Sequence, residues 1–330
     1  MVALDPGAPA IEAAIADRCD LLVTHHPFFF TPLKKITSAD ETGRLALRAV
    51  KNDLAIISLH TNYDIASGGV NDLLAGRLGL SDCQPLKITG AAEYLKLVVF
   101  VPKGHEEALL KALSPSMVNL GNYRDCSFQA DGVGRFTPLQ GANPFVGSVG
   151  RPQRQEEGRL EVLIAKQKLA AAVSALKGAH PYEEPAFDIY PVLNQGEVRG
   201  LGRIGVLAEP MSAAAFALQV KQALAASGVR LVGNPERAVK KIALCGGSGA
   251  SLLHEAARKG ADVLVTGDVK YHEAREAEAL GLALVDAGHF ATEWPMVHGL
   301  AAALVKALEA RKYQTEVVAY QGEREPFSFF

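Results

Sequence analysis

Leu21-Leu22-Val23-Thr24-His25-His26-Pro27 is a short apolar run that stops in two adjacent histidines. Far along the chain, Ala283-Leu284-Val285-Asp286-Ala287-Gly288-His289-Phe290-Ala291-Thr292-Glu293 repeats the design, with a carboxylate four positions after its histidine. Short apolar runs bounded by polar residues read as strands buried on both faces. In open α/β sheets, ligands gather at the carboxyl ends of such strands. Both stretches therefore read as buried strands that release metal-ligand side chains, and they are expected to meet around a pair of divalent metal ions.

Working outward from Leu21, short apolar runs alternate with longer periodic ones, the sign of α/β organisation. Strands are expected at Val2 to Leu4, Asp20 to Thr24 and Leu54 to Leu59, and helices at Ala10 to Asp17, Glu41 to Asn52 and Val70 to Leu78. Near residue 90 the texture changes. Strands at Tyr94 to Pro102, Cys126 to Phe136, Arg159 to Ala165 and Ala186 to Val192 enclose helices at Glu106 to Leu113 and Lys168 to Leu176, with long loops over Pro138 to Gly158. That order, β-α-β-β-α-β, is the ferredoxin-like unit. The first texture then resumes, with strands at Lys241 to Cys245, Val263 to Thr266 and Leu282 to Val285 among helices, the last of them from about Thr292 to Leu308. The expected architecture is one discontinuous α/β domain, residues 1–91 and 201–330, with an inserted α+β domain at 92–200. His25 and His289 can then lie in one layer.

Composition narrows the class. The 330 residues are 48% hydrophobic and 21% charged, with a net charge of -2 and no basic block, so electrostatics nominate neither a nucleic acid nor a membrane partner. Cys19, Cys83, Cys126 and Cys245 are dispersed, which suits buried free thiols in a reducing cytoplasm and makes a cysteine metal site a poor reading. The start carries no signal-peptide pattern and the chain no run of 18 apolar residues, so a soluble, cytoplasmic protein is expected. The chain opens almost directly in a strand, so a preceding segment is also conceivable from the pattern.

Adjacent histidines diverge on an extended backbone, so His25 and His26 suit two metals a few ångströms apart; alone, they read equally as a surface turn closed by Pro27. Leu59-His60-Thr61-Asn62-Tyr63-Asp64 follows a strand, and a tight turn at Asn62 to Asp64 would aim His60 and Asp64 into one cleft; Asx-turn chemistry is the bland reading. His289 and Glu293, four apart at a helix start, share one face, and a glutamate can bridge two cations; it can also be an ordinary acidic residue of a first turn. Together these clusters supply three or four imidazoles and two carboxylates, an inventory for zinc, iron or manganese and not for calcium or magnesium. Gly246-Gly247-Ser248-Gly249, between a strand and a helix, offers backbone N–H groups to an anion such as phosphate, or makes a tight turn. Thr266-Gly267-Asp268 leads to His272: the aspartate reads as a helix cap and His272 as a proton shuttle or outer partner.

In this order, Thr24-His25-His26-Pro27, His60-Thr61-Asn62-Tyr63-Asp64 with Gly68-Gly69-Val70-Asn71-Asp72, Gly246-Gly247-Ser248-Gly249, Thr266-Gly267-Asp268 to His272, and Gly288-His289 to Glu293 resemble the NIF-three-like family of dinuclear metal-centre proteins. Many members of that family are named GTP cyclohydrolase 1 type 2 homologs. The resemblance implies a NIF-three-like α/β fold and two metal ions held by His25, His26, Asp64, His289 and a bridging Glu293, with His60 in or beside the coordination shell. His60 and His272 would then move protons. His180-Pro181-Tyr182-Glu183-Glu184-Pro185-Ala186 resembles the signal-protein and copper-tolerance-like insert of longer members, which implies a homohexamer. An amino-terminal Asp-Asn-Val-Gly-Leu-like motif of the family is not present in this sequence. The implied activity is metal-dependent hydrolysis of a nucleotide or another phosphorylated compound, GTP to formate and dihydroneopterin triphosphate being the specific form. The alternative is a regulatory or scaffold protein with a structural or sensing metal centre and an effector-binding insert.

Overall fold

Leu21–Thr24 forms a strand (β2) flanked in parallel by β1 (Val2–Ala3) and β3 (Ala55–Ser58). Leu22, Val23 and Thr24 are all buried, which explains why this run lacks the apolar–polar alternation of a half-exposed strand. Helices α1 (Ala8–Ala16) and α2 (Glu41–Lys51) pack their apolar residues against Leu22 and Leu54. Asp40 caps α2 by accepting a hydrogen bond from the Gly43 N–H at 2.7 Å. The opposite face rests on Val70 of α4 (Val70–Arg77), which follows the five-residue α3 (Thr61–Ile65). Residues 61–65 are therefore helical and not a tight turn: the stretch is too short to show helical periodicity. A strand not expected from the sequence, β4 (Ser81–Ala91), comes next.

The chain, as a computed structural model, is described for residues 1–194 and 196–329 and divides into two compact units, residues 1–89 with 199–330, and residues 90–198. The second unit holds β5 (Tyr94–Pro102), α5 (Glu106–Leu113), β6 (Ser127–Phe136), β7 (Gln153–Ala165), α6 (Leu169–Ala179) and β8 (Phe187–Pro191). Its sheet order is β6-β7-β5-β8, antiparallel throughout, which is the split βαβ arrangement. Leu97, Val99, Leu160 and Val162 pack with Leu109, Leu113, Ala172 and Leu176 of the two helices to make its core. β7 begins at Gln153, six residues before the expected start, so part of the polar stretch after Pro138 belongs to a strand.

After the insert come β9 (Val198–Ser212), α7 (Ala213–Ala223), β10 (Arg230–Val232), β11 (Ala238–Leu244), α8 (Leu253–Arg258), β12 (Val263–Thr266), α9 (Tyr271–Ala279), β13 (Ala283–Asp286), α10 (His289–Glu293) and α11 (Pro295–Ala310). They build a six-stranded sheet of order β10-β13-β12-β11-β9-β4, in which β11, β12 and β13 run parallel. Successive side chains enter opposite cores: Ile242 and Leu244 face Phe216 and Val220, whereas Ala243 and Cys245 face Leu252 and Ala256. Covering both faces makes Val263–Thr266 an uninterrupted buried run. Its carboxyl end and that of β13 release Asp268 and His289, as that of β2 releases His25 and His26. Of the cysteines only Cys245 is buried; Cys19 and Cys126 are partly buried and Cys83 is exposed, so the expectation of buried thiols holds at one position. Among the described residues no helix is long and apolar enough to cross a membrane.

Candidate metal centre

His25 and His26 leave β2 in different directions, as adjacent residues on an extended strand must. His25 Nε2 lies 3.5 Å from Asp64 Oδ1 and 3.5 Å from Glu293 Oε1. His26 Nε2 lies 3.0 Å from the other oxygen of the same carboxylate, and His289 Nε2 approaches that oxygen at 3.1 Å. Each oxygen of Glu293 thus faces a different donor group. Among the described residues, three groups of donor atoms lie close enough for an ion: His25, Asp64 and Glu293; His26, His289 and Glu293; and His25, His26 and His60.

The imidazoles are held from behind. His25 Nδ1 donates to the Leu59 carbonyl at 2.8 Å, so its Nε2 presents a lone pair to the site. His26 Nδ1 meets Asp5 Oδ1 at 2.7 Å, and His289 Nδ1 meets Asp268 Oδ2 at 2.6 Å. This is the carboxylate–histidine pairing that orients metal-binding imidazoles and raises their basicity. Sequence reasoning passed over Asp5 and gave Asp268 a capping role. Instead Lys270 occupies the amino-terminal cap of α9, and Asp268, with φ of +58°, turns back to His289. The only sequence sign of either role is an aspartate just past a buried strand, a common loop pattern.

A second layer fixes the carboxylates and the loop beneath them. Asn71 donates to the Asp64 carbonyl and accepts from the Gly246 N–H, both at 2.9 Å. Gly247 N–H donates to Thr292 Oγ1 at 3.0 Å and Gly249 N–H to Thr266 Oγ1 at 2.8 Å. The N–H groups expected to hold an anion at Gly246-Gly247-Ser248-Gly249 are therefore spent within the protein at three of the four positions. The loop also leads into a 3₁₀ turn and a helix of only six residues. Its role is to approach the ligands: Gly247 has φ of +61°, and a Cβ there would come within 2.2 Å of Glu293 Oε1.

Several buried polar atoms of the cluster are not answered by aligned hydrogen bonds. His25 Nε2, Asp64 Oδ1 and Glu293 Oε2 are buried, and none has an aligned hydrogen bond despite its close neighbours. His26 Nε2 and His289 Nε2 face each other at 3.3 Å. Burial alone would raise the Glu293 carboxyl, but the imidazoles of His25, His26 and His289 outweigh it and hold the group far below the carboxylate range. Burial lowers His26, yet Asp5 and Glu293 reverse this and bring it to about 10. Glu293, against the pull of burial and with help from Asp268, raises His289 to about 9. Burial lifts Asp64 to about 6 against the pull of His25. Nitrogen and oxygen donors with these orphaned atoms fit transition-metal cations.

One side of the cluster is closed and the other open. The His25 side chain is 0% exposed and that of Glu293 5%, whereas His289 is 36% exposed. His60 caps the start of α3 with its ring 5.3 Å from that of His25, and burial, then His25 and His26, hold it below its ordinary value. Phe30, largely exposed, stands edge-on to His60 at 6.2 Å. His272 is exposed on α9, its ring against Tyr271, and belongs to none of the three donor groups found among the described residues.

Comparison with known proteins fits this arrangement. A family model described as Duf34/NIF3 (NGG1p interacting factor 3) matches residues 1–326. Proteins of Halalkalibacterium halodurans and Bacillus subtilis, both named GTP cyclohydrolase 1 type 2 homolog, are 43% and 42% identical over all of this chain and 88% of their own lengths. A crystal structure of a Bacillus cereus protein related to NIF3 superimposes with a TM-score of 0.92 at 42% identity, covering 100% of this chain and 88% of that one. With matches that run through both halves of the α/β unit and the insert between them, the chain belongs to the DUF34/NIF3 family.

Proposed function

We propose that the protein is a metal-dependent hydrolase with two divalent cations, zinc, iron or manganese, acting on a nucleotide or another phosphorylated compound. His25, Asp64 and Glu293 would hold one cation, and His26, His289 and Glu293 the other, so that Glu293 bridges. The observation that carries this reading is that three buried side-chain atoms of the cluster, His25 Nε2, Asp64 Oδ1 and Glu293 Oε2, have no aligned hydrogen bond while the Nδ1 atoms of His25, His26 and His289 are each tied outward. Bound at such a site, cations supply Lewis acidity and bring water towards ionisation at neutral pH.

The chain's own groups support catalysis over a closed structural site. The exposed edge at His289 and His60 leaves room for substrate, as a catalytic site requires. His60, held below its ordinary value, is neutral near pH 7 and placed to accept a proton beside the cluster. Phe30 offers an aromatic face to a base, and Lys34 and Lys35 lie exposed in the same loop, where they can meet phosphate charge. Hydrolysis of GTP to formate and dihydroneopterin triphosphate is the specific form, supported by the names of the relatives.

The test is a panel of nucleotides and phosphate esters, GTP among them, assayed for release of formate and of phosphate by metal-loaded and chelator-stripped protein. Metal-dependent turnover that is lost in Glu293→Gln is the expected result. A panel without metal-dependent turnover by protein that demonstrably carries two ions would overturn the hydrolase and favour a structural or sensing centre.

A further inference from the structure

The inserted unit contains a cavity of about 680 Å³, a size suited to a small organic ligand. Its wall is formed by the end of β6 (Asp131 to Phe136), the loop through Phe145, Glu157 of β7 and the segment from Tyr182 to Ala186. The rings of Phe136 and Phe145 lie 5.8 and 6.1 Å from that of Tyr182, so aromatic surface lines the space. His180 builds this wall: its Nε2 donates to the Phe100 carbonyl at 2.9 Å, and its Nδ1 accepts from the Tyr182 N–H at 3.0 Å.

Set in that aromatic wall is a carboxylate. Glu157 is only 7% exposed, and its one hydrogen-bond partner among the described residues is the Tyr182 hydroxyl, which donates to Oε1 at 3.0 Å. It has no cationic partner among the described residues: Arg159 on the same wall pairs with Glu161, and Lys103 pairs with Asp131. A buried carboxylate supplied by one neutral donor keeps most of its accepting capacity unused and its charge uncompensated. Gly134 makes room for it, since a Cβ there would clash with the Glu157 carboxylate at 2.1 Å.

We infer that this cavity is a binding site for a small planar aromatic ligand bearing an amidine-type pair of N–H donors, such as an amidinium or the 2-amino-6-oxo edge of a purine. Two parallel N–H groups match the two oxygens of Glu157, the geometry that makes carboxylate pairs both strong and directional. The rings of Phe136, Phe145 and Tyr182 cover the faces of the planar body. An anion of the same shape would add like charge beside Glu157 and is excluded. The site is chemically separate from the imidazole cluster, and its ligand is recognised without a metal.

The experiment is calorimetric titration of the full metal-loaded chain with benzamidine, guanosine and benzoate, compared with Glu157→Gln and Phe145→Ala. Benzamidine and guanosine should bind and benzoate should not. Glu157→Gln should weaken benzamidine at least about tenfold, the loss expected when a charge-assisted pair is removed, with the metal content unchanged. Should Glu157→Gln fail to fold, Phe145→Ala at the cavity wall should lose affinity for both ligands. Binding of benzoate as tight as that of benzamidine, an unchanged affinity in the variants, or no binding of either N–H donor would overturn the inference.

Discussion

His180 in the insert and His26 in the α/β unit both have hydrogen-bonded rings, and they differ in where the second ring nitrogen goes. Both nitrogens of His180 end on backbone groups, Phe100 O and Tyr182 N–H, so that imidazole is complete within the protein. His26 gives Nδ1 to Asp5 and turns Nε2 towards Glu293 and His289, with which it forms a group that could hold an ion. The same contrast separates Glu293, faced by three imidazoles, from Glu157, faced by one hydroxyl. Burial does not separate the two histidines; His26 differs in having one nitrogen braced outward and the second turned to other titratable side chains instead of to backbone.

The comparison breaks most severely at Glu293. Glu293→Ala removes the carboxylate common to both donor groups, and metal content measured by mass spectrometry should fall from about two ions per chain towards none. The loss of affinity should exceed the roughly 10- to 100-fold that outer partners command. Asp268→Asn leaves every inner donor in place but weakens the brace on His289, so affinity should fall within that 10- to 100-fold range, read by chelator competition.

Proton linkage gives the next effect. In metal-free protein His26, raised to about 10, and His289, raised to about 9, hold protons at neutral pH, and an entering cation must displace them. Apparent affinity should therefore rise with pH up to those values, by about tenfold per pH unit for each proton displaced. Calorimetry in buffers of different ionisation enthalpy should register the release. The same raised values stabilise metal-free protein at low pH, and this contribution is lost as pH passes through about 9 and then about 10. His180→Ala is the smallest change for the metal site and should leave metal content untouched. It strands Phe100 O and the Tyr182 N–H, which costs about 1–3 kcal/mol of stability in chemical denaturation.

How much of this was legible in sequence depended on the kind of signal. Val263–Thr266 and Tyr94–Pro102 fall where their apolar runs place them, because buried strands announce themselves in composition. β4 was missed because, of its eleven residues, Leu86 alone is fully buried and Pro85 interrupts it, as suits the edge of a sheet. His289 and Glu293 were readable as an i, i+4 pair at a helix start, and their 3.1 Å approach follows from helical geometry. The braces were not readable, since Asp5 and His26, like Asp268 and His289, are 21 positions apart and joined only by parallel strands. The glycine loop misled because free N–H groups are a property of the loop's neighbours: Asn71, Thr266 and Thr292, from three separate elements, consume them.

The central claim is that two cations share Glu293, one on the His25 side and one on the His26 side. Anomalous diffraction from crystals of metal-loaded protein tests it directly. Two peaks are expected, one among His25, Asp64 and Glu293 and the other among His26, His289 and Glu293. A single peak, or two peaks of which one lies away from Glu293, would contradict the account.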